Sequence, residues 1–242
     1  MRLSNDARFA PIFSLAGRTA KPMLPPVAHR IGGFGGAQGL ANWLRTESVD
    51  AIVDATHPFA ARISANAAVA ARQLGLPILF LQRPPWRQED ADNWTRVGEM
   101  AHAAAALGEQ PARVFLGIGR QEVAAFKAAP QHFYLVRAIE PPDSDSLPTR
   151  SEVVLRRGPF ELAAERELLV AHGINLVVSK NSGGGAAYAK IAAARQLGLR
   201  VVMVDRAPLP DGDTVVSVDG AMHWLVLVLA ARHGSCASER GV

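Results

Sequence analysis

The sequence predicts an α/β fold of two lobes with mostly parallel sheets and an interlobe groove where the strands end. Short apolar segments alternate with Ala-rich segments of helical spacing along the 242 residues, and this alternation is typical of parallel sheets covered by helices. Two stretches, residues 50–84 and 174–208, also resemble each other. Each runs strand, polar loop, helix ending in RQLGL, strand, and then an Arg and a Pro. We therefore predict one such unit in each lobe.

The boundary between the lobes is expected just after the polar, Pro-rich segment RPPWRQEDADN. This gives lobes of residues 1–98 and 99–242. The predicted strands are residues 11–15, 51–54, 78–81, 114–117, 133–137, 175–179 and 201–205. The predicted helices are residues 59–74, 100–107, 121–128, 161–171, 186–197 and 221–232, with a further helix after residue 36. Gly75 and Gly198, in the two RQLGL units, are expected to end their helices in the left-handed conformation.

The composition excludes several classes of protein. About half of the residues are apolar (49%), so a core can form without disulfides or metals. The single cysteine, Cys236, has no internal partner, and no Cys/His cluster has the spacing of a metal site. The longest apolar run, residues 224–231, is too short to cross a bilayer and is predicted to be a buried helix. Without a signal peptide at the N-terminus, we expect a cytoplasmic protein with neither metal nor membrane partner.

The basic residues are mostly arginine: 22 of the 26 are Arg, and the formal net charge is +4. GC-rich codon usage is the simpler explanation of this bias. The functional explanation is a polyanionic ligand, because guanidinium groups bind carboxylates and phosphates in a bidentate manner. The arginines are scattered and no nucleic-acid-binding motif is present, so nucleic acid is not an expected partner.

Two motifs in the first lobe favour a nucleotide cofactor. SLAGRTA, residues 14–20, ends a strand where a dinucleotide fold places the adenosine ribose, and a cation with hydroxyl groups there suits an additional phosphate. RIGGFGG, residues 30–36, precedes a helix, so its backbone N–H groups can approach an anion closely. The alternatives are a solvated loop arginine for the first motif and an ordinary tight turn for the second.

DATHPFA, residues 54–60, ends a buried strand with polar side chains. Thr56 and His57 are candidates for contact with a ligand at the carboxyl end of that strand. His57 can also donate a proton, since the pKa of histidine lies near neutrality. A structural, hydrogen-bonded histidine is the alternative.

SKNSGGGAAYAK, residues 179–190, is the best candidate site in the chain. A strand leads into Lys180, and three glycines then precede a helix whose N-terminal amides would favour an anion. The order of residues differs from that of a P-loop. GIGRQE, residues 117–122, places Arg120 after another strand, and RPPW places Trp86 after a third. Trp86 could lie against a flat ring or pack on its own lobe.

Together these motifs resemble the successive blocks of the precorrin-6A reductase family, in the right order and over nearly the whole chain. The resemblance is carried by SLAGRTA, GGFGG, DATHPFAARISANA, RPPW, GIGRQE, GPFELAAERELL and KNSGGGAAYAKIAAARQLG. It implies two Rossmann-like lobes with NADPH and the substrate in the groove between them. It also implies reduction of one ring double bond of precorrin-6A to give precorrin-6B in cobalamin biosynthesis. Relatives in the anaerobic pathway act on the cobalt-containing ring.

The resemblance also gives the motif residues their expected roles. The substrate would be a tetrapyrrole-derived ring with many carboxylates, which suits an Arg-rich groove. Lys180 and His57 are the candidates for proton donation, and we favour carboxylate binding for Lys180. The expected substrate contacts are Arg120, Lys180, Asn181, Ser182 and Gly183. The expected NADPH contacts are Ser14, Gly17, Arg18, Thr19, Gly33, Gly35, Thr56 and His57.

One departure from the family concerns the first residues. The family opens with a strand, a G-G-T loop and a helix, whereas MRLSNDARFAP resembles the end of that helix. We therefore expect the first βα unit, with its pyrophosphate-binding loop, to be missing. The explanations are a truncated chain, a start codon assigned too late, or a protein that genuinely lacks this unit.

Two other functional classes fit the same motifs. One is a non-catalytic two-lobed protein that binds an anionic ligand, and the other is a transferase with a nucleotide-linked donor. Neither would oxidise NADPH. The sequence leaves open whether the substrate contains cobalt. It also leaves open the oligomeric state, and a monomer is compatible with the sequence.

Overall fold

The computed structural model describes residues 3–17 and 24–238. The chain divides into two compact units, one of Met1–Gln82 with Pro208–Val242 and the other of Arg83–Ala207. These bounds differ from the predicted ones, because residues 83–98 belong to the second unit and the C-terminal segment returns to the first. The difference has a structural cause: residues 93–97 form an unpredicted strand that pairs within the sheet of the second unit.

The first unit contains two small parallel sheets. Its strands are β1 (Ile12–Leu15), β2 (Ala28–Ile31), β3 (Ile52–Asp54), β4 (Ile78–Leu81) and, near the C-terminus, a strand at Asp213–Val215. β1 pairs with β2, and β4 lies between β3 and the C-terminal strand. Helices α1 (Ala37–Thr46) and α2 (Ala61–Leu74) pack together through the buried residues Leu40, Ala41, Leu44, Ala67 and Ala70.

The second unit is built on one six-stranded sheet in which all neighbours are parallel. Its strands are β5 (Asn93–Val97), β6 (Arg113–Gly117), β7 (Phe133–Ala138), β8 (Ser151–Leu155), β9 (Leu176–Lys180) and β10 (Arg200–Val204), in the order β5-β10-β9-β6-β7-β8. The C-terminal strand of the first unit is therefore β11. The helices of this unit are α3 (Met100–Ala105), α4 (Leu162–Ala171) and α5 (Ala189–Gln196), with a 3₁₀ helix at Arg120–Ala128. The central strands are almost completely buried, as their continuous apolar sequences require.

The prediction of an α/β fold with mostly parallel sheets is confirmed, and all seven predicted strands are present. The four strands that were missed, β2, β5, β8 and β11, each lie at the edge of a sheet. Edge strands are short and half-exposed, so they lack the apolar run that marks a central strand. The predicted segment 121–128 is helical but forms a 3₁₀ helix rather than an α-helix. Gly75 and Gly198 both have φ of +63°, as predicted for their RQLGL units.

Helix α6 (Val218–Ser238) corrects one prediction. Its apolar run, residues 224–231, was expected to be buried, but Leu227 is 55% exposed and the rest of the run is half-buried or exposed. The apolar residues are distributed around the helix, which packs on β4 and β11. Among the described residues, no helix is long and apolar enough to cross a membrane.

Candidate active site

In the first unit, Arg30 joins the two motifs that were predicted to contact a cofactor. Ser14 in β1 lies opposite Arg30 in β2. The guanidinium group of Arg30 donates to Ser14 Oγ (3.3 Å) and to the carbonyl oxygens of Gly32 (2.8 Å) and Gly33 (3.2 Å). Its Cζ lies 3.8 Å from the centre of the Phe34 ring. SLAGRTA and RIGGFGG therefore meet at the carboxyl ends of two paired strands.

The glycine-rich loop beside Arg30 leaves open space in front of helix α1. A Cβ atom added to Gly33, Gly35 or Gly36 would meet no atom of the described residues within 4 Å. Gly35 and Gly36 have φ of +77° and +98°, a conformation that side chains rarely adopt. The exposed backbone, the start of α1 and the Arg30 charge fit an anionic nucleotide. Gly17 of SLAGRTA has φ of +73°, and a Cβ atom added to it would lie 3.5 Å from the backbone of Gly32 in RIGGFGG. Arg18 and Thr19 lie outside the described residues.

The DATHPFA segment follows β3 in the same unit. Asp54 is buried and accepts a hydrogen bond from the Thr56 N–H (2.9 Å). Thr56 Oγ1 also lies 3.4 Å from Ser64 Oγ in helix α2. His57 is exposed, and its Nδ1 accepts a hydrogen bond from the Phe59 N–H (3.3 Å). In the neutral imidazole the proton is then on Nε2, which suits a hydrogen bond to a ligand. Donation of a proton requires the imidazolium form, in which Nδ1 is also protonated and no longer accepts from Phe59.

In the second unit, the two predicted substrate-binding cations both have acidic partners. Lys180, at the end of β9, forms an ion pair with Glu122 of the GIGRQE segment. Arg120 forms an ion pair with Glu140 (3.0 Å). Each charge is therefore partly neutralised within the protein. The existing ion pair weakens the electrostatic attraction between either cation and a bound anion.

The side chain of Asn181, a predicted substrate contact, binds the main chain of Trp86. It is 3% exposed, its Oδ1 accepts from the Trp86 N–H (2.7 Å), and its Nδ2 donates to the Trp86 carbonyl (3.1 Å). Trp86 Nε1 donates to the Gly184 carbonyl (2.8 Å), and its ring lies 5.6 Å from that of Tyr188. Of the two alternatives for Trp86, the structure favours packing within its own unit.

The glycines of the SKNSGGG loop lie apart from the helix that was expected to follow them directly. Helix α5 begins only at Ala189, after a turn. Ser182 and Gly183 are buried, and the Ser182 carbonyl accepts from Arg83 Nε (2.7 Å). Gly185 is exposed, and a Cβ atom there would meet nothing within 4 Å. The loop is therefore closely packed at Gly183 and exposed to solvent at Gly185.

Lys190, which sequence reasoning did not single out, is buried beneath this loop. It is 2% exposed, its Nζ donates to the Ala187 carbonyl (2.7 Å), and the same atom lies 4.8 Å from the centre of the Trp86 ring. Its side chain also packs against Gly117, where an added Cβ would lie 2.9 Å from the lysine Cδ. Burial, and then repulsion from Arg137, lowers the pKa of Lys190 to about 7.

A buried ion pair between Arg137 of β7 and Glu165 of α4 was also missed. The two side chains are 6% and 2% exposed. The Arg137 Cζ lies 3.7 Å from the centre of the Phe160 ring and 5.0 Å from that of Phe115. Burial lowers the pKa of Arg137, while Glu165 acts in the opposite direction. The one signal in the sequence was the single arginine inside the apolar segment YLVRA.

Comparisons with known proteins assign the chain to a family. The sequence model of the family described as Precorrin-6x reductase CbiJ/CobK matches residues 1–226. The chain belongs to this family. The predicted family is thus confirmed, and with it the prediction of an oxidoreductase. Among the side chains that the structure describes, residues 3–17 and 24–232, no three His, Cys, Asp or Glu are grouped as metal ligands.

Individual relatives agree with this assignment. The chain is 46% identical to the precorrin-6A reductase of Rhodobacter capsulatus, over 98% of this chain and 92% of that protein. It is 49% identical to that of a Sinorhizobium species, over 93% and 87%. The cobalt-precorrin-6A reductase of Priestia megaterium is 28% identical, over 78% of each chain. A solved structure of CobK precorrin-6A reductase has a TM-score of 0.84 and 47% identity, covering 90% of this chain and 86% of that one.

Proposed function

We propose that this protein reduces one ring double bond of precorrin-6A with NADPH, giving precorrin-6B in cobalamin biosynthesis. Family membership is the observation that carries the proposal. The relatives named precorrin-6A reductase are 46–49% identical, whereas those named cobalt-precorrin-6A reductase are 23–29% identical. This difference favours the metal-free ring as the substrate.

The first unit is the proposed site for NADPH, which supplies the hydride when it is bound. Arg30 and Ser14 present a guanidinium and a hydroxyl group beside the open glycine loop. Arg18 would add a second cation for the ribose phosphate of NADPH. Thr56 and His57, after β3, are proposed to contact the cofactor as well. These residues bind and orient the cofactor and hold charge where its phosphates lie.

The second unit is proposed to bind the substrate through the loops that follow β6 and β9. Arg120 and Lys180 lie there with Ser182 and Gly183, although both cations already bind carboxylates. Reduction of a carbon–carbon double bond needs one proton in addition to the hydride. His57 and Lys180 are the proposed donors. His57 is favoured, because its side chain is exposed and histidine in general exchanges a proton near neutral pH.

The proposal is tested by mixing the purified protein with precorrin-6A and following oxidation of NADPH. Turnover supports the reductase, whereas binding without oxidation supports a non-catalytic anion-binding protein. Arg18→Ala should weaken NADPH binding roughly ten- to 150-fold, because one charge-assisted contact is lost, and should leave the weak binding of NADH unchanged. Arg45→Ala, on the exposed side of α1, is the control. Equal loss of both cofactors, or no loss of either, would contradict the role of Arg18.

A further inference from the structure

We propose that Arg83 and Arg206, here called the arginine pair, bind a carboxylate of the substrate. The inference rests on the proposed function, because the tetrapyrrole-derived substrate supplies the carboxylates. Both arginines follow the second strand of a repeated unit: Arg83 comes after β4 and Arg206 after β10. They are thus the Arg residues of the two Arg–Pro ends noted in the sequence, although the motif analysis gave neither a role.

The structure brings these two residues, far apart in sequence, into contact. Arg206 Nη1 donates to the main-chain carbonyl of Arg83 (2.8 Å). Arg206 Nε donates to the Asn181 carbonyl (2.7 Å), and Arg83 Nε donates to the Ser182 carbonyl (2.7 Å). Each guanidinium group is therefore anchored through Nε to adjacent carbonyls of one loop. Other N–H groups remain for a ligand, since each guanidinium has five.

The charge of the arginine pair is not neutralised by the residues that surround it. Within the described part of the chain, neither arginine forms an ion pair with a carboxylate. Arg206 Nη2 is buried and has no hydrogen-bond partner among the described residues. Burial, and then the charge of Arg83, lowers the pKa of Arg206. It is unfavourable for the Arg206 Nη2 donor to be buried without an acceptor and to lie near the positive charge of Arg83. A bound anion would accept a hydrogen bond from this donor and would offset the repulsion between the two charges.

Neighbouring cations show how unusual this is. Arg120 pairs with Glu140, Lys180 with Glu122, and Arg195 with Asp92 (2.9 Å). Among the described residues, the hydrogen-bond acceptors of the arginine pair are all main-chain carbonyls. A substrate carboxylate would therefore gain more from the arginine pair than from Lys180, whose charge is already compensated.

The glycine loop is shaped around the arginine pair. A Cβ atom at Gly183 would lie 2.5 Å from Arg206 Nη2, and one at Gly184 would lie 2.9 Å from Arg83 Cδ. Both glycines also have positive φ, +65° and +73°. Only a backbone without side chains can approach the two arginines this closely. Gly183 and Gly184 thus have a specific reason to be glycine, which is to make room for the arginine pair.

A carboxylate is the anion that this arrangement suits within the proposed reaction. Guanidinium N–H groups match the two oxygens of a carboxylate, and the acetate and propionate groups of the substrate project such oxygens from the ring. The alternative source of an anion is a phosphate of NADPH. The two sources are separated by measuring the KM values of substrate and cofactor independently.

The kinetic test compares wild type with Arg206→Gln, Arg206→Lys and Arg83→Gln. We expect KM for precorrin-6A to rise roughly ten- to 150-fold in each Gln variant, with kcat and the KM for NADPH little changed. Arg206→Lys keeps the charge but loses the fork of N–H groups, so its KM should be intermediate. Arg87→Gln is the matched control: Arg87 is exposed in the same loop. An unchanged substrate KM, or a rise in the NADPH KM instead, overturns the proposal.

A binding test separates failure of the inference from failure of the proposed function. Its probe is a porphyrin carrying acetate and propionate groups, measured by quenching of tryptophan fluorescence, with the methyl ester of the same porphyrin as reference. Wild type should bind the acid and not the ester, and Arg206→Lys should bind the acid more weakly. Equal binding by wild type and by a folded Arg206→Lys variant overturns the arginine pair, whether or not the protein oxidises NADPH. Absence of turnover by wild type contradicts only the reductase.

Discussion

Replacing Lys190 with methionine removes a buried charge and leaves a side chain of similar length. Lys190 is 2% exposed, and it packs against Gly117 and the Trp86 ring. Burial is the main cause that lowers its pKa from 10.5 to about 7, followed by repulsion from Arg137, while Glu165 acts in the opposite direction. At about 1.36 kcal/mol per pH unit, this difference corresponds to on the order of 5 kcal/mol.

The direction of the pH effect follows from the two pKa values of Lys190. In the unfolded chain the amine remains protonated up to about pH 10.5, whereas in the folded protein it loses its proton near pH 7. Between these values the unfolded state binds more protons, so the free energy of unfolding rises with pH. Below about pH 7 the folded protein must keep the buried charge, and the destabilisation is largest. Relative to Lys190→Met, wild type should gain roughly 2–3 kcal/mol between about pH 6 and pH 9.

Urea unfolding of both proteins across this pH range measures the difference directly. Subtracting the Lys190→Met free energies cancels the titration of all groups that the two proteins share. Lys127→Met is the control, because Lys127 is exposed, and its difference from wild type should not vary with pH. A difference between wild type and Lys190→Met that is constant from about pH 6 to pH 9 would refute the reasoning, since Lys190 would then titrate alike in both states.

Two further predictions concern buried groups of the second unit. Glu165→Leu should lower the free energy of unfolding by about 3–5 kcal/mol, because it leaves the Arg137 charge buried without its partner. Adding Arg137→Met should restore much of that loss, and simple additivity in a double-mutant cycle would contradict the prediction. Gly183→Ala should lower stability by about 1 kcal/mol or more, since its φ is +65° and the new Cβ would press on the Pro84 carbonyl. Gly185→Ala, in open space, should change it by less than about 0.5 kcal/mol. Thermal unfolding of the Gly183→Ala and Gly185→Ala variants measures both effects. Equal loss of stability in the two variants would show that position 183 does not specifically require glycine.

The sequence predicted the fold class and the central strands because those signals are local. β6, β9 and β10 are buried on both faces, and their uninterrupted apolar residues are visible without any knowledge of pairing. The edge strands β5 and β11 carry polar residues, and only their hydrogen bonds to β10 and β4 identify them as strands. The unit boundaries were displaced for the same reason, since the pairing of β5 with β10 assigns residues 93–97 to the second unit.

For the candidate site, the sequence by itself determined the family, the loops that follow the strands and the residue types within them. The tertiary structure alone decided which of the cations are already neutralised. Lys180 and Arg120 meet carboxylates. Arg83 instead meets the carbonyl of Ser182, 99 positions away, and Arg206 meets that of Arg83, 123 positions away. An ion pair depends on distances of a few ångströms between side chains, and these distances cannot be deduced from the separation of the residues in sequence. The charge available to a ligand therefore follows from the fold, although every residue that provides it is visible in the sequence.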